Sequence, residues 1–186
     1  MNLFLNAVSG DGVIILFDDN RQIIDKENIS ILLQESSLLI DIIDNFLAKN
    51  KLKYSEIQNI VVVNGPGSFT GVRTISLVVN TISYIFENVY LTPISFFDLF
   101  KNYPIIKASS KRDLFVKNDE KSIIEIISIE DFLKYINFNG IKDIFGEGIL
   151  GINTINSIDY INFLKEVRLD NKKTIEAYYV KKPNIC

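Results

Sequence analysis

Short apolar runs cut by paired turn residues open the chain. Residues 3–8, 12–17 and 20–26 read as strands, with Gly10-Asp11-Gly12 and Asp18-Asp19-Asn20 as the tight turns between them. The period then lengthens. Residues 31–49 repeat apolar positions at helical spacing, "IQNIVVV" at 57–63 is the unbroken run of a buried strand, 70–86 is helical again, and 88–92 is a strand closed by Pro93. This βββαβαβ order predicts an α/β lobe: an antiparallel meander extended by parallel strands through crossover helices.

Beyond Pro93 the periodicity weakens. A short helix is expected near 95–102, strands near 105–108, 113–117 and 123–127, a helix near 129–137, a strand near 143–145, a helix near 157–167 and a last strand near 174–180. The change of pattern at 94–104 predicts a first lobe over 1–100 and a shorter second lobe over 101–186. No proline- or serine-rich linker, repeat or low-complexity tract interrupts them, and "KRDLFVKNDEKS" at 111–122 reads as a charged hairpin.

The two helices of the first lobe are more apolar than one sheet requires. Winding 31–49 at ~100° per residue places Leu32, Leu33, Leu39, Ile40, Ile43, Phe46 and Leu47 on an arc that can cover a sheet, and Ile31, Leu38 and Ile42 on a second apolar strip. From Val72 to Phe86 the sole charge is Arg73, and the polar strip is the small set Ser76, Asn80 and Ser83. Two such helices are either buried within the chain or presented to a partner, and a large contiguous apolar surface favours the partner.

Bulk composition narrows the chemistry. A chain of 186 residues can bury roughly 70% of its unfolded surface, so it needs no metal or disulfide to fold. Its net charge of -3 argues against a broad basic surface that grips nucleic acid unaided. Cys186 is the single cysteine, which excludes an intrachain disulfide and suits a reducing compartment. The first residues, "MNLFLNAVSGDGVIILF", lack the basic start of a signal peptide and the unbroken apolar length of a membrane span. Histidine is absent, so Ser-His-Asp, Cys-His and paired-histidine metal sites cannot be built.

"VVVNGPGSFTGVRT", Val61 to Thr74, joins the buried strand to the second helix. Its glycines allow positive φ, and Ser68 or Thr70 can cap the helix. Amides at a helix start can also hold an anion. The loop is not a Walker loop, since Gly67-Ser68-Phe69-Thr70-Gly71 leads to Val72-Arg73 with no Gly-Lys-Ser/Thr. A structural turn and an anion cradle both remain open.

The string "GPGSFTGVRT", Gly65-Pro66-Gly67-Ser68-Phe69-Thr70-Gly71 onward, resembles the signature of the TsaB (YeaZ) family, non-catalytic relatives of TsaD that help install threonylcarbamoyl on tRNA adenosine. The resemblance runs from residue 1 to about 117 in element order. "ESSLLIDIIDNFLAKNKL" sits where that family has its first crossover helix, and "AYYVKKPNI" is similar to its closing strand and basic-Pro tail. It implies an actin-like ATPase (ASKHA, RNase H-like) fold with a reduced second lobe. The chain departs from the family in its short second lobe and at two stretches of sequence. Asn6-Ala7-Val8-Ser9 stands where an Asp-Thr-Ser-type phosphate loop is usual, and Ser109-Ser110-Lys111-Arg112-Asp113 keeps a basic pair but loses a leading acid.

The resemblance and the missing chemistry together imply a non-catalytic scaffold or activating subunit with no cofactor or metal. Its expected partner is a TsaD-like catalytic subunit, joined by a TsaE-like ATPase, with a homodimer when alone, tRNA reached only through the complex, no membrane contact and a cytoplasmic location. The expected interface is Ile31, Leu38, Ile42 and Phe46 of the first helix with Arg73, Ser76, Val79, Asn80 and Ser83 of the second. Arg73 can equally pair within its own chain. The alternative is a small actin-like ATPase or acid kinase that uses Ser9, Asp11 and the Gly65–Gly71 loop around a magnesium nucleotide. A peptidase is disfavoured by the absence of histidine.

Overall fold

The computed structural model describes residues 1–8, 11–30, 38–149 and 151–180. They divide into a first unit, Met1–Phe96 with Tyr160–Tyr178, and a second built on Phe97–Asp159. The units divide at Phe96/Phe97, within the span 94–104 expected to hold the lobe boundary, but residues 160–178, expected in the second lobe, interrupt it, and Tyr179 falls with the second unit again. Residues 160–178 return to the first unit, where Phe163, Leu164 and Ile175 find apolar cover.

The first unit is a five-stranded sheet in the order β3-β2-β1-β4-β5. Strands β1 (Asn2–Asn6), β2 (Asp11–Phe17) and β3 (Ile23–Ser30) form the antiparallel meander, with Phe4 opposite Ile15 and a register shift at Leu16/Phe17. Strand β4 (Asn59–Val63) runs parallel to β1, pairing Val61 with Phe4, and β5 (Tyr90–Ile94) runs parallel to β4, pairing Thr92 with Val61. All residues of β1 and β4 are buried, as expected of central strands covered on both faces. Pro93 lies inside β5 instead of closing it. The strand is the last of its sheet, and the proline ring there costs no ladder bond on a further neighbour.

Helix α1 (Leu39–Lys49) buries Leu39, Ile43, Phe46 and Leu47, and helix α2 (Phe69–Ile85) buries Val72, Ile75, Val78, Val79 and Ile82. Tyr54 ties their ends together. Its hydroxyl is 2.6 Å from Asp44 Oδ1 of α1, and its ring stacks on Phe86 just beyond α2, with centroids 5.2 Å apart. Burial, and then the Asp44 carboxylate, push its phenol pKa upward.

In the second unit the order is β8-β7-β6-β9, from β6 (Ile105–Ala108), β7 (Asp113–Lys117), β8 (Glu125–Ser128) and β9 (Phe145–Gly146). Helix α3 (Ile129–Asn139) packs Phe132 and Ile136 against Ile106, Leu114 and Val116. The Ser128 hydroxyl oxygen caps α3 by accepting from the Asp131 amide, and Gly140 at φ 65° ends it in the left-handed conformation. Lys107 is buried beside this core, 3.0 Å from Glu147 Oε2. Burial lowers its pKa and Glu147 opposes that.

The last element is α4 (Tyr160–Glu166) of the first unit, whose Tyr160 and Phe163 rings meet Phe4 edge-on at 5.4 and 5.7 Å. The strand expected near 174–180 does not form among the described residues. Side chains of β4, β5 and α2 take up that backbone in place of a strand ladder, and one bridge, Leu91 with Lys172, touches the sheet edge.

Candidate functional site

The motif loop is built as a junction. Strand β4 ends at Val63, and Asn64 keeps the chain at the sheet by donating its amide to the Ile94 carbonyl at 3.1 Å. Gly65 adopts φ +143°, and its carbonyl accepts from the Phe96 amide at 2.7 Å. A Cβ on Gly65 would stand 2.3 Å from the Tyr178 carbonyl oxygen, so glycine is required both by conformation and by space. The Gly65-Pro66 peptide is cis. Gly67 passes Val8 at the end of β1, where a Cβ would meet the Val8 carbonyl oxygen at 3.1 Å.

Ser68, of the two expected caps, performs the capping. Its hydroxyl oxygen accepts from the Gly71 amide at 3.1 Å and its carbonyl from the Val72 amide at 3.0 Å. Gly65 and Pro66 are buried, whereas Ser68, Phe69 and Thr70 are exposed. With these amides engaged by Ser68 and the glycines fitted against protein backbone, the loop has the construction of a structural turn.

Asn6, the residue at the resembled phosphate loop, is buried at the end of β1. It hydrogen-bonds Tyr160 of α4, whose phenol burial drives up to a pKa of about 12 while the Asn6 bond works the other way. Lys26 lies over the same ring, 4.6 Å from its centroid. This end of β1 therefore presents a neutral amide held by a phenol. Ser9 and Ile31 lie outside the described residues, and Asp11 opens β2. Among the described residues no group of three or more His, Cys, Asp or Glu side chains could hold a metal ion, and no helix is long and apolar enough to cross a membrane.

Helix α2 shows the largest difference from expectation. Ser76, Val79 and Ser83, read from the sequence as interface residues, are buried within the chain, and Asn80 is half-buried. Ser83 donates to the Val89 carbonyl at 2.8 Å. Asn80 donates to the Ile175 carbonyl at 3.0 Å and accepts from the Ile175 amide at 2.8 Å. Small polar side chains on this strip let other backbone come close, so the strip is an internal seam. Phe46 of α1 is likewise buried and Ile42 half-buried, while Leu38, just before α1, is exposed, as is Ile40, which the sequence placed on the sheet-covering arc.

The outward face of α2 carries Arg73, Leu77, Thr81 and Tyr84, with Ile85 beside them. Leu77 is 68% exposed, Tyr84 87% and Ile85 62%. Arg73 sits 5.0 Å over the Phe69 ring, a contact within its own chain. The sequence held a usable signal for this face. Arg73 is the helix's sole charge, and stepping four, eight and eleven residues from it gives Leu77, Thr81 and Tyr84.

A model of the family TsaD, tRNA N6-adenosine threonylcarbamoyltransferase, matches residues 34–95. Uncharacterized protein MG208 of Mycoplasma genitalium is 26% identical over 187 residues, spanning 97% of this chain and 95% of that protein. Its Mycoplasma pneumoniae homolog is 24% identical over the same length and shares. A solved Pseudomonas aeruginosa protein described as similar to peptidase YEAZ superposes with a TM-score of 0.59 at 15% identity, over 78% of this chain and 75% of its own. YeaZ from Pseudomonas aeruginosa superposes with a TM-score of 0.51 at 16% identity, over 69% of this chain and 65% of its own.

The fold is YeaZ-like. The TsaD match spans α1, β4, the motif loop, α2 and β5. The outward stripe of α2 and the loop that launches it thus belong to one matched segment. Asn6 and Tyr160 lie outside that segment.

Proposed function

We propose that this chain is a non-catalytic, TsaB-like scaffold or activating subunit of the machinery that adds threonylcarbamoyl to tRNA adenosine, and that it binds a TsaD-like catalytic subunit through the outward faces of α1 and α2. The observation that carries the reading is the row Leu77, Tyr84 and Ile85, left in water by a helix whose other sides are filled. Exposed apolar side chains aligned on one helix face are anchors for a partner helix or groove. Leu38 and Ile40 of the α1 region add further exposed apolar surface.

The YeaZ-like fold and the TsaD-family match over 34–95 support the assignment to this machinery. The neutral Asn6 amide, the absence of histidine and the use of the motif loop as a helix launch support a role without chemistry of its own. In this reading a second copy covers the same stripe when the catalytic subunit is missing. A TsaE-like ATPase and tRNA join through the catalytic subunit, in the cytoplasm.

The test is a double substitution, Leu77→Lys with Tyr84→Lys, in the chain coexpressed with its TsaD-like protein. Central apolar anchors each contribute roughly 2 kcal/mol or more, so the pair should weaken binding by at least a hundredfold. Loss of the companion from the purified complex, with an unchanged circular dichroism spectrum, is the expected result. An intact one-to-one complex in the double variant would falsify the proposed interface.

A further inference from the structure

From Asp170 to Tyr178 the chain has no regular secondary structure, yet it is tied to the first unit along its length. The Asp170 amide donates to Thr92 Oγ1 at 2.8 Å, and its carbonyl accepts from Asn59 Nδ2 at 2.7 Å. The Thr92 hydroxyl donates in turn to Asn59 Oδ1 at 2.8 Å. The Lys172 carbonyl accepts from the Leu91 amide at 2.8 Å. Lys173 donates to the Glu87 and Val89 carbonyls and lies 4.2 Å from the Tyr90 ring centroid.

Ile175 gives both its backbone groups to Asn80. The Glu176 carbonyl accepts from Asn64 Nδ2 at 2.8 Å, and the Tyr178 amide donates to the Asn64 carbonyl at 2.9 Å. Three asparagines from three places, the start of β4, its end and the middle of α2, hold one extended segment. A carboxamide carries a donor and an acceptor together, so it can replace the ladder partner that an irregular segment lacks.

We propose that residues 170–178 form a strap, latched by Asn59, Asn64 and Asn80, that holds the motif loop and α2 as one unit and fixes which face of α2 is shown. Two independent features point there. Gly65 leaves room for the Tyr178 carbonyl and for nothing larger. The seam of α2 that the strap occupies at Asn80 borders the exposed row, since Asn80 lies three residues from Leu77 and four from Tyr84 along the helix. With the strap seated, that row is the surface left for a partner. Only this last consequence rests on the partner reading, and the experiment below is run on the isolated full chain.

Asn80→Leu introduces a good helix former of similar shape and removes both bonds to Ile175. The amides of Leu91, Asp170, Ile175 and Tyr178 all donate across the strap contact. Their hydrogen exchange, followed by NMR, is expected to quicken together by roughly tenfold or more, while the amides of β7 keep their rates. Quickening at Ile175 alone, no quickening, or equal quickening that includes β7 overturns the strap. Should that variant fail to fold, Asn64→Ala carries the same expectation from the other end. It must quicken Asp170 and Ile175 as well as Tyr178, and a change confined to Tyr178 overturns the proposal.

Discussion

The two sides of α2 carry side chains opposite to what their surroundings would suggest. The side with Ser76, Asn80 and Ser83 is polar yet buried or half-buried, and the side with Leu77, Tyr84 and Ile85 is apolar and wet. On the hidden side the polar groups are mostly spent on backbone: Asn80 on Ile175 and Ser83 on the Val89 carbonyl. Ser76 Oγ is the exception, buried with no hydrogen-bond partner. On this strip polarity marks where the helix meets backbone of its own chain, beside the apolar Val72, Ile75, Val79 and Ile82 that fill the core. The exposed apolar row has no such use inside the first unit, which is why it is read as a surface for something else.

The sharpest way to test that division is to put a charge on the hidden side. Val79 is fully buried at the middle of α2. Val79→Lys places an ammonium in a packed core with no partner, at a cost of about 4 kcal/mol or more. Urea denaturation should show a large fall in the midpoint or loss of cooperative folding. A midpoint near that of the parent chain would mean that this side of α2 is not closed.

The next effect belongs to the junction between loop and strap. Gly65→Ala adds a methyl 2.3 Å from the Tyr178 carbonyl oxygen, at a backbone angle of +143° that alanine rarely adopts. Strain and displacement together should cost about 2 to 3 kcal/mol. The same denaturation experiment measures it. Alanine at Gly140, which also has positive φ but open space around the added Cβ, should cost only about 1 kcal/mol. Equal losses at the two glycines would remove the close approach as the cause.

Much of the first unit was legible because its signals are local. The Asp18-Asp19-Asn20 turn, the unbroken "IVVV" of β4 and the two helical periods each mark an element without reference to distant residues, whereas Asp11 and Gly12, expected in the first tight turn, lie in β2 paired with β3. The faces of α2 were not legible in the same way. An almost uncharged helix gives periodicity little contrast to work on, and the covering segment lies about 95 residues away, tied by asparagine bonds that leave no pattern in sequence. The same reason hid the return of 160–178 to the first unit. Its contacts, such as those of Tyr160 and Phe163 with Phe4 and of Ile175 with Asn80, are made by single residues on a short helix and an irregular stretch. The motif loop was legible as a turn because glycine, proline and a serine cap are chemistry of neighbours. Its dependence on Tyr178 was not.

The smallest expected effect is the one that tests the exposed row directly. Leu77→Lys exchanges one good helix former for another at a position 68% exposed, so stability of the isolated chain should change by no more than about 0.5 kcal/mol. Val79→Lys, only two residues away, should differ from it by several kcal/mol, and that gap measures how completely the helix is divided into an inside and an outside. Denaturation must be run at low protein concentration. If the exposed row pairs with a second copy, Leu77→Lys will also lose stability that grows with concentration in the parent chain, because self-association stabilises the folded state by mass action. A loss at every concentration, equal to that of Val79→Lys, would instead place Leu77 in the core of the folded chain and leave α2 with no outward apolar face.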